Sequence, residues 1–218
     1  DGYKGVSPIK QCKQAIGWGI AVETYGNTFF SNGAKLSGVL STDRQMSQLA
    51  IERLKQSFQE NHKLMIGSIV PRPIAFVSTK STNGILNLAP FSYFNGVCSK
   101  PPTIMFAPAR RGYDGLTKDT LNNIRSTKEF VVNLVSEEIV EPMVECATDY
   151  DKEIDEFKIS NLTPIDSDKI SSPRVKESKV SYECELNTIV EIGEAEPGAG
   201  FVVIGTIVMF HIQDDVYN

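Results

Sequence analysis

The sequence predicts a mainly β protein with a few helices, built as an antiparallel sheet closed into a barrel, and three observations carry that reading. Short apolar runs bounded by turn residues recur along the chain, among them Ile74-Ala75-Phe76-Val77 and Thr103-Ile104-Met105-Phe106. Two longer β runs, Val180 to Ile192 and Gly200 to Ile212, flank the turn-rich Glu194-Ala195-Glu196-Pro197-Gly198-Ala199-Gly200, the signature of a long hairpin. Helical periodicity is confined to short segments, without the strand-helix-strand alternation that builds parallel sheets. Closing such a sheet removes its exposed edges.

Taken in order, residues 1 to 40 are rich in Gly, Asn, Ser and Thr and read as irregular or weakly β. Ser41-Thr42-Asp43 starts a helix, and Met46, Leu49, Ala50 and Leu54 fall at helical spacing up to Phe58. From Met65 to Asp114 the pattern is β-like, with Asn83-Gly84 as a hairpin turn and Pro101-Pro102 ahead of a strand. Thr117 to Arg125 reads as a short helix with Leu121 and Ile124 on one face, followed by a strand from Glu129 to Val135 and a second helix from Glu137 to Ala147. A polar loop containing Pro164 and Pro173 leads into the long hairpin.

Composition excludes several function classes. Apolar residues at 41% and charged residues at 22% are ordinary globular usage. A net charge of -5, spread along the chain, argues against a nucleic-acid partner. Cys12, Cys98, Cys146 and Cys184 form no Cys-x-x-Cys pair, and His62 and His211 add few imidazoles, so neither a zinc site nor a disulfide scaffold is expected. Reduced thiols, together with the lack of a long apolar span or signal peptide, point to a cytoplasmic protein without a membrane partner. The chain begins at Asp1 without an initiator Met. No Gly-x-Ser-x-Gly elbow, Walker loop or His-Glu-x-x-His motif is present. His62 lies in a polar stretch and is expected to be exposed, whereas His211, within a strand pattern, reads as a hydrogen-bonded structural histidine.

The most informative segments are Pro71-Arg72-Pro73-Ile74-Ala75-Phe76-Val77-Ser78-Thr79 and Gly84-Ile85-Leu86-Asn87-Leu88-Ala89-Pro90-Phe91-Ser92-Tyr93-Phe94-Asn95. With Lys100-Pro101-Pro102, Lys118-Asp119-Thr120-Leu121-Asn122-Asn123-Ile124, Glu129-Phe130-Val131-Val132-Asn133-Leu134, Glu156-Phe157 and Gly205-Thr206-Ile207-Val208, they resemble the flavin reductase-like, FMN-binding family of the flavoredoxin type. The resemblance begins near Phe58, leaving residues 1–57 as an N-terminal extension outside it, irregular with one amphipathic helix, and for residues 58–218 it implies a Greek-key-like split β-barrel that forms a homodimer and holds FMN near the subunit interface. It implies an oxidoreductase that takes a hydride from NADH or NADPH onto the flavin and passes electrons on, to a redox partner protein in some members. The flavin carries the chemistry, so no catalytic side chain is expected. Members of the family continue for some tens of residues beyond the strand equivalent to Gly205–Ile212, which bears on flavin binding and dimerisation here.

Within that resemblance the residues make physical sense. A strand ending at Ser78-Thr79 can offer backbone and hydroxyl groups to the flavin's pyrimidine edge. Asn87, Leu88, Ala89, Pro90 and Ser92 can run alongside the ring, and Pro90 has no N–H to give to a strand ladder. Lys118, Asp119 and Thr120 open a helix, where backbone N–H groups and a partial positive charge suit a phosphate. Lys118 adds a charge and Thr120 a hydroxyl, while Asp119 reads better as the helix cap. Arg110 and Arg111 could add charge, Arg72 could orient the loop or reach the cofactor, and Phe91, Tyr93 and Phe94 could wall the ring. A hairpin that packs the core and binds nothing, or a capped helix with a solvated lysine, would look the same locally. Two other functions fit the same text: an FMN-binding electron carrier reduced by a partner, and a barrel that has lost flavin and serves as an interaction module.

Overall fold

A computed structural model describes residues 61–112, 114–151, 153–195 and 198–217. The chain divides into two compact units, Asp1–Pro71 and Arg72–Asn218. In the first unit residues 61–68 are helical and His62 is exposed. The expected helix from Ser41 to Phe58 lies outside the described residues. The β-like reading from Met65 is corrected: the chain is still helical there, and the first strand opens at Ala75. Pro71 and Pro73 lack an N–H, so neither a helix nor a strand ladder can run through them.

The second unit contains β1 (Ala75–Lys80), β2 (Leu86–Phe91), β3 (Phe94–Ser99), β4 (Pro102–Phe106), β5 (Glu129–Leu134), β6 (Pro164–Ile165), β7 (Arg174–Val175), β8 (Val180–Ile192) and β9 (Gly200–Ile212). Its helices are α1 (Asp119–Thr127), α2 (Val140–Glu145), preceded by a 3-10 turn over Glu137–Ile139, and α3 (Glu156–Ile159). Seven strands form one antiparallel sheet in the order β2-β1-β5-β8-β9-β4-β3, and β6 pairs with β7 separately. The two edge strands, β2 and β3, are separated in sequence by Ser92 and Tyr93 alone. A flat sheet of this width would hold its edges roughly 29 Å apart, whereas the three virtual bonds from Phe91 to Phe94 reach about 11 Å at most. The sheet must therefore curl until its edges approach, and the barrel follows from connectivity.

The barrel interior is filled by alternate residues. Val77, Phe91, Phe106, Phe130, Val132 and Val203 form its centre, and Leu121 and Ile124 of α1 pack against them. Phe106 lies 5.0 Å from Phe91 and 5.4 Å from Phe130, ring centre to ring centre. A second cluster, Phe76, Leu88, Ile139, Phe157, Leu162 and Val175, covers the other face of β1. β1 is thus buried on both faces, which is why it reads as a continuous apolar run. In the turn between β1 and β2, Gly84 takes a φ of +83°, its N–H donates to Ser81 O, and Ser81 Oγ accepts from Ile85 N–H.

Buried polar groups fix the loops. Asn133 Nδ2 donates to Phe76 O and Ser78 Oγ, while its Oδ1 accepts from Val175 N–H and Ser181 Oγ. Glu183, fully buried, accepts from Asp168 N–H and Lys169 N–H at 2.7 Å each and bonds His211 Nε2 at 2.6 Å. Glu129 accepts from the N–H groups of Ser171 and Ser172. Two carboxylates therefore clamp the loop between β6 and β7. Asp168, Glu183 and His211 offer ligand-type atoms within 4.8 Å of one another, but both Glu183 oxygens already receive hydrogen bonds, and the trio works as part of the clamp. No helix among the described residues is long and apolar enough to cross a membrane.

Candidate functional site

The barrel brings β2, the entrance of α1 and the segment between α2 and α3 around one cleft. β2 is an edge strand paired on one side with β1, which is where a strand tolerates Pro90. Its Asn87, Ala89 and Pro90 form one wall. Arg111, Lys118, Asp119 and Thr120 form the second, and residues 146–150 with Glu156 close the third. The free volume is about 40 Å³, well below the roughly 300 Å³ of a small-ligand pocket, and of a size for a phosphate-like group.

The floor is a connected polar network. Asn87 Nδ2 donates to Glu156 Oε1 at 2.9 Å, and Leu88 N–H donates to Glu156 Oε2 at 3.2 Å. Glu156 thereby satisfies an amide on the outer side of the edge strand. Thr120 Oγ1 donates to Asn87 Oδ1 at 2.6 Å, Thr79 Oγ1 donates to the same oxygen at 3.3 Å, and Asn123 Nδ2 donates to Thr79 Oγ1 at 3.0 Å. Burial pushes the Glu156 carboxyl above its ordinary range against the hydrogen bonds that favour its charge, with the nearby Asp119 adding to the rise. Burial also pushes the Cys146 thiol up to about 11.

Both cations of the cleft face carboxylates. Lys118 Nζ donates to Asp149 Oδ1 at 2.6 Å, and Arg111 Nη2 donates to Asp119 Oδ2 at 2.7 Å. Asp119 is not the helix cap that the sequence predicts: the cap position is Lys118, in extended conformation, and Asp119 is the first helical residue. Leu121 N–H makes the first bond back to Lys118 O, so the amides of Asp119 and Thr120 precede the intrahelical ladder. Two cations and these amides are donors of the kind a phosphate takes, beside the carboxylates of Asp119, Asp149 and Glu156.

Among the residues expected at the site, Asn87, Ala89, Pro90, Lys118, Asp119 and Thr120 meet in this cleft. The others go elsewhere. Ser78 is fully buried, and its hydroxyl donates to Pro173 O at 2.5 Å. Thr79 is buried behind Asn87, and the Leu88 side chain packs in the second core cluster. Ser92 sits at the corner between β2 and β3. Arg110 turns away to Glu191 at 2.5 Å and stacks 5.0 Å from the ring of Phe201. Arg72 lies 5.7 Å over Tyr93, and Phe91 belongs to the core. Sequence reasoning assigned no role to Asp149, Tyr150 or Glu156. Glu156 carried a signal, the Glu156-Phe157 pair, whereas Asp149 and Tyr150 sit in a polar stretch without one.

Comparison with known proteins gives two matches that divide the chain. Residues 66–218 match the model of the flavin reductase like domain, and residues 1–69 match that of phage portal proteins. The second likeness includes 32% identity over 57 residues to a probable portal protein of Streptomyces phage phiC31, 26% of this chain and 12% of that one. An uncharacterized protein of Aquifex aeolicus is 43% identical over 157 residues, covering 72% of this chain and 77% of its own. Nitrilotriacetate monooxygenase component B from Bacillus cereus is 34% identical, with 84% and 86% of the two chains covered and a TM-score of 0.69. A flavin reductase with a split barrel domain from Shewanella frigidimarina, 24% identical over 80% and 83% of the two chains with a TM-score of 0.63, shares the fold. Sequence and architecture together show that the chain, through residues 66–218, belongs to the flavin reductase-like split-barrel family.

Proposed function

We propose that the unit from Arg72 onward binds flavin mononucleotide with its phosphate at the entrance of α1, and acts as a flavin oxidoreductase that draws electrons from NADH or NADPH. Membership of the flavin reductase-like family supports flavin-related oxidoreductase activity. The finer reading is carried by one observation: Asn87, Ala89 and Pro90 of β2 meet Arg111, Lys118 and the first amides of α1 around a single phosphate-sized cleft.

In this reading Lys118 and Arg111 supply charge, and the amides of Asp119 and Thr120 supply oriented donors. Glu156 holds the Asn87 amide in one orientation, and Asn87 in turn holds the Thr120 hydroxyl, so the cleft wall is fixed before a ligand arrives. Ala89 and Pro90 present a flat, small-residue wall without competing donors. Ser78, Thr79 and Leu88 support that strand from behind. The bound flavin would supply the hydride and electron transfer, and the protein would bind, orient and tune it.

The test is direct. Purified protein should quench FMN fluorescence on titration and, once loaded, lose the oxidised flavin's visible absorption when NADH or NADPH is added without oxygen. Failure to quench FMN overturns the binding site. An unchanged oxidised spectrum with both donors overturns the nicotinamide dependence and leaves an electron carrier.

A further inference from the structure

The cleft that the phosphate reading assigns to an anion carries the wrong formal charge for one. Arg111 and Lys118 face Asp119, Asp149 and Glu156, two cations against three carboxylates. Asp119 belongs to α1 and is held by Arg111, and Glu156 is anchored by Asn87 and Leu88. Asp149 is different. It sits on the stretch between α2 and α3, where its neighbours Thr148, through its N–H, and Tyr150, through its hydroxyl, both donate back to Glu145 O at the end of α2. Its carboxylate reaches across the cleft to Lys118 at 2.6 Å, with about a third of its side chain exposed.

We propose that Asp149 is a displaceable stand-in for the ligand's phosphate: it occupies Lys118 Nζ in the ligand-free cleft, yields that position to a phosphate, and so competes with FMN for the lysine and holds FMN affinity down. The inference rests on the phosphate reading above. The exchange is favourable on general grounds. A partly exposed ion pair holds its members weakly, whereas a phosphate brings up to two charges and three acceptor oxygens and also reaches the first amides of α1. Thr148, Asp149 and Tyr150 line the cleft beside Lys118, so the Asp149 carboxylate stands where a phosphate on that lysine would sit. Riboflavin has no phosphate to bring to Lys118, so the ion pair leaves its affinity nearly unchanged.

The test measures FMN and riboflavin affinities by fluorescence quenching for the full chain and for Asp149→Asn, Asp149→Ala and, as a control, Asp151→Asn. Asn keeps a hydrogen-bond acceptor for Lys118 and Ala removes it, so the pair separates charge from contact. FMN should bind about tenfold tighter in both Asp149 variants, through loss of a competing charge. Riboflavin affinity should stay within about twofold, and Asp151→Asn, which removes an equal charge two positions away, should have little effect. Unchanged or weaker FMN binding in the Asp149 variants, with the parent protein still preferring FMN, overturns the exchange and leaves the phosphate site standing. Equal affinity of the parent protein for FMN and riboflavin overturns the phosphate site itself, and the exchange with it.

Discussion

Asn87 joins three elements through one amide: its nitrogen goes to Glu156 of α3, and its oxygen takes hydroxyls from α1 and β1. Asn87 and Lys118 were legible as cleft residues because each stands beside a recognisable strand or helix start. The partner of the Ser78 hydroxyl was not legible, because the Pro173 carbonyl it meets lies 95 positions further on. At this scale Lys118→Ala should weaken FMN binding by about 1.5 to 3 kcal/mol, the loss of a charged hydrogen bond, and leave riboflavin nearly unchanged in the same titration. The two buried carboxylates have opposite pH signatures. Burial alone would raise Glu183, but hydrogen bonds from Asp168, His211 and Lys169 outweigh it and hold the carboxyl below its ordinary 4.5. Its contribution is therefore full above that pH and is lost as pH falls through the lowered value. Glu156 is raised, so its ionisation costs stability as pH rises above 4.5. In thermal melts Glu183→Gln should be destabilised by about 1 to 3 kcal/mol at neutral pH, with the gap from the parent protein narrowing in acid.

At the scale of elements, β8 and β9 match the sequence reading residue for residue, since long alternating runs around a turn leave little choice. β3 lies within the stretch read as β-like but had no bounds of its own, because nearly all of it faces solvent and no apolar alternation marks it. α3, β6 and β7 hide in the polar stretch, where Glu183 and Glu129 impose order from outside. Within β9, Gly205 stands against Phe130, and a Cβ there would lie 2.4 Å from the ring's Cζ. Gly205→Ala should therefore destabilise the protein by about 1 to 3 kcal/mol through overpacking. A denaturation midpoint within error of the parent protein's would show that the ring has room to move.

For the whole molecule, the flavin reductase match begins at residue 66 and the portal match ends at residue 69, both shortly before the unit boundary at Pro71. The sequence reading placed the start of the family resemblance near Phe58, ahead of the helix over residues 61–68 and the Pro71-Arg72-Pro73 stop. Half-exposed Phe210 and Ile212 at the end of β9 suit a contact between copies, and sedimentation at micromolar concentration should return twice the chain mass. A single-chain mass would overturn the homodimer that the family resemblance implies. The two-residue link between β2 and β3 has a consequence of its own. Because Ser92 and Tyr93 alone span the seam, slack added there lets the two margins drift apart, and the whole cylinder can slacken. Two glycines inserted after Ser92 should lower the melting temperature by about 5 °C or more, while the same pair placed beside Gly198, where the hairpin tip merely lengthens, should shift it far less. A link of two residues would then be the part least able to tolerate growth.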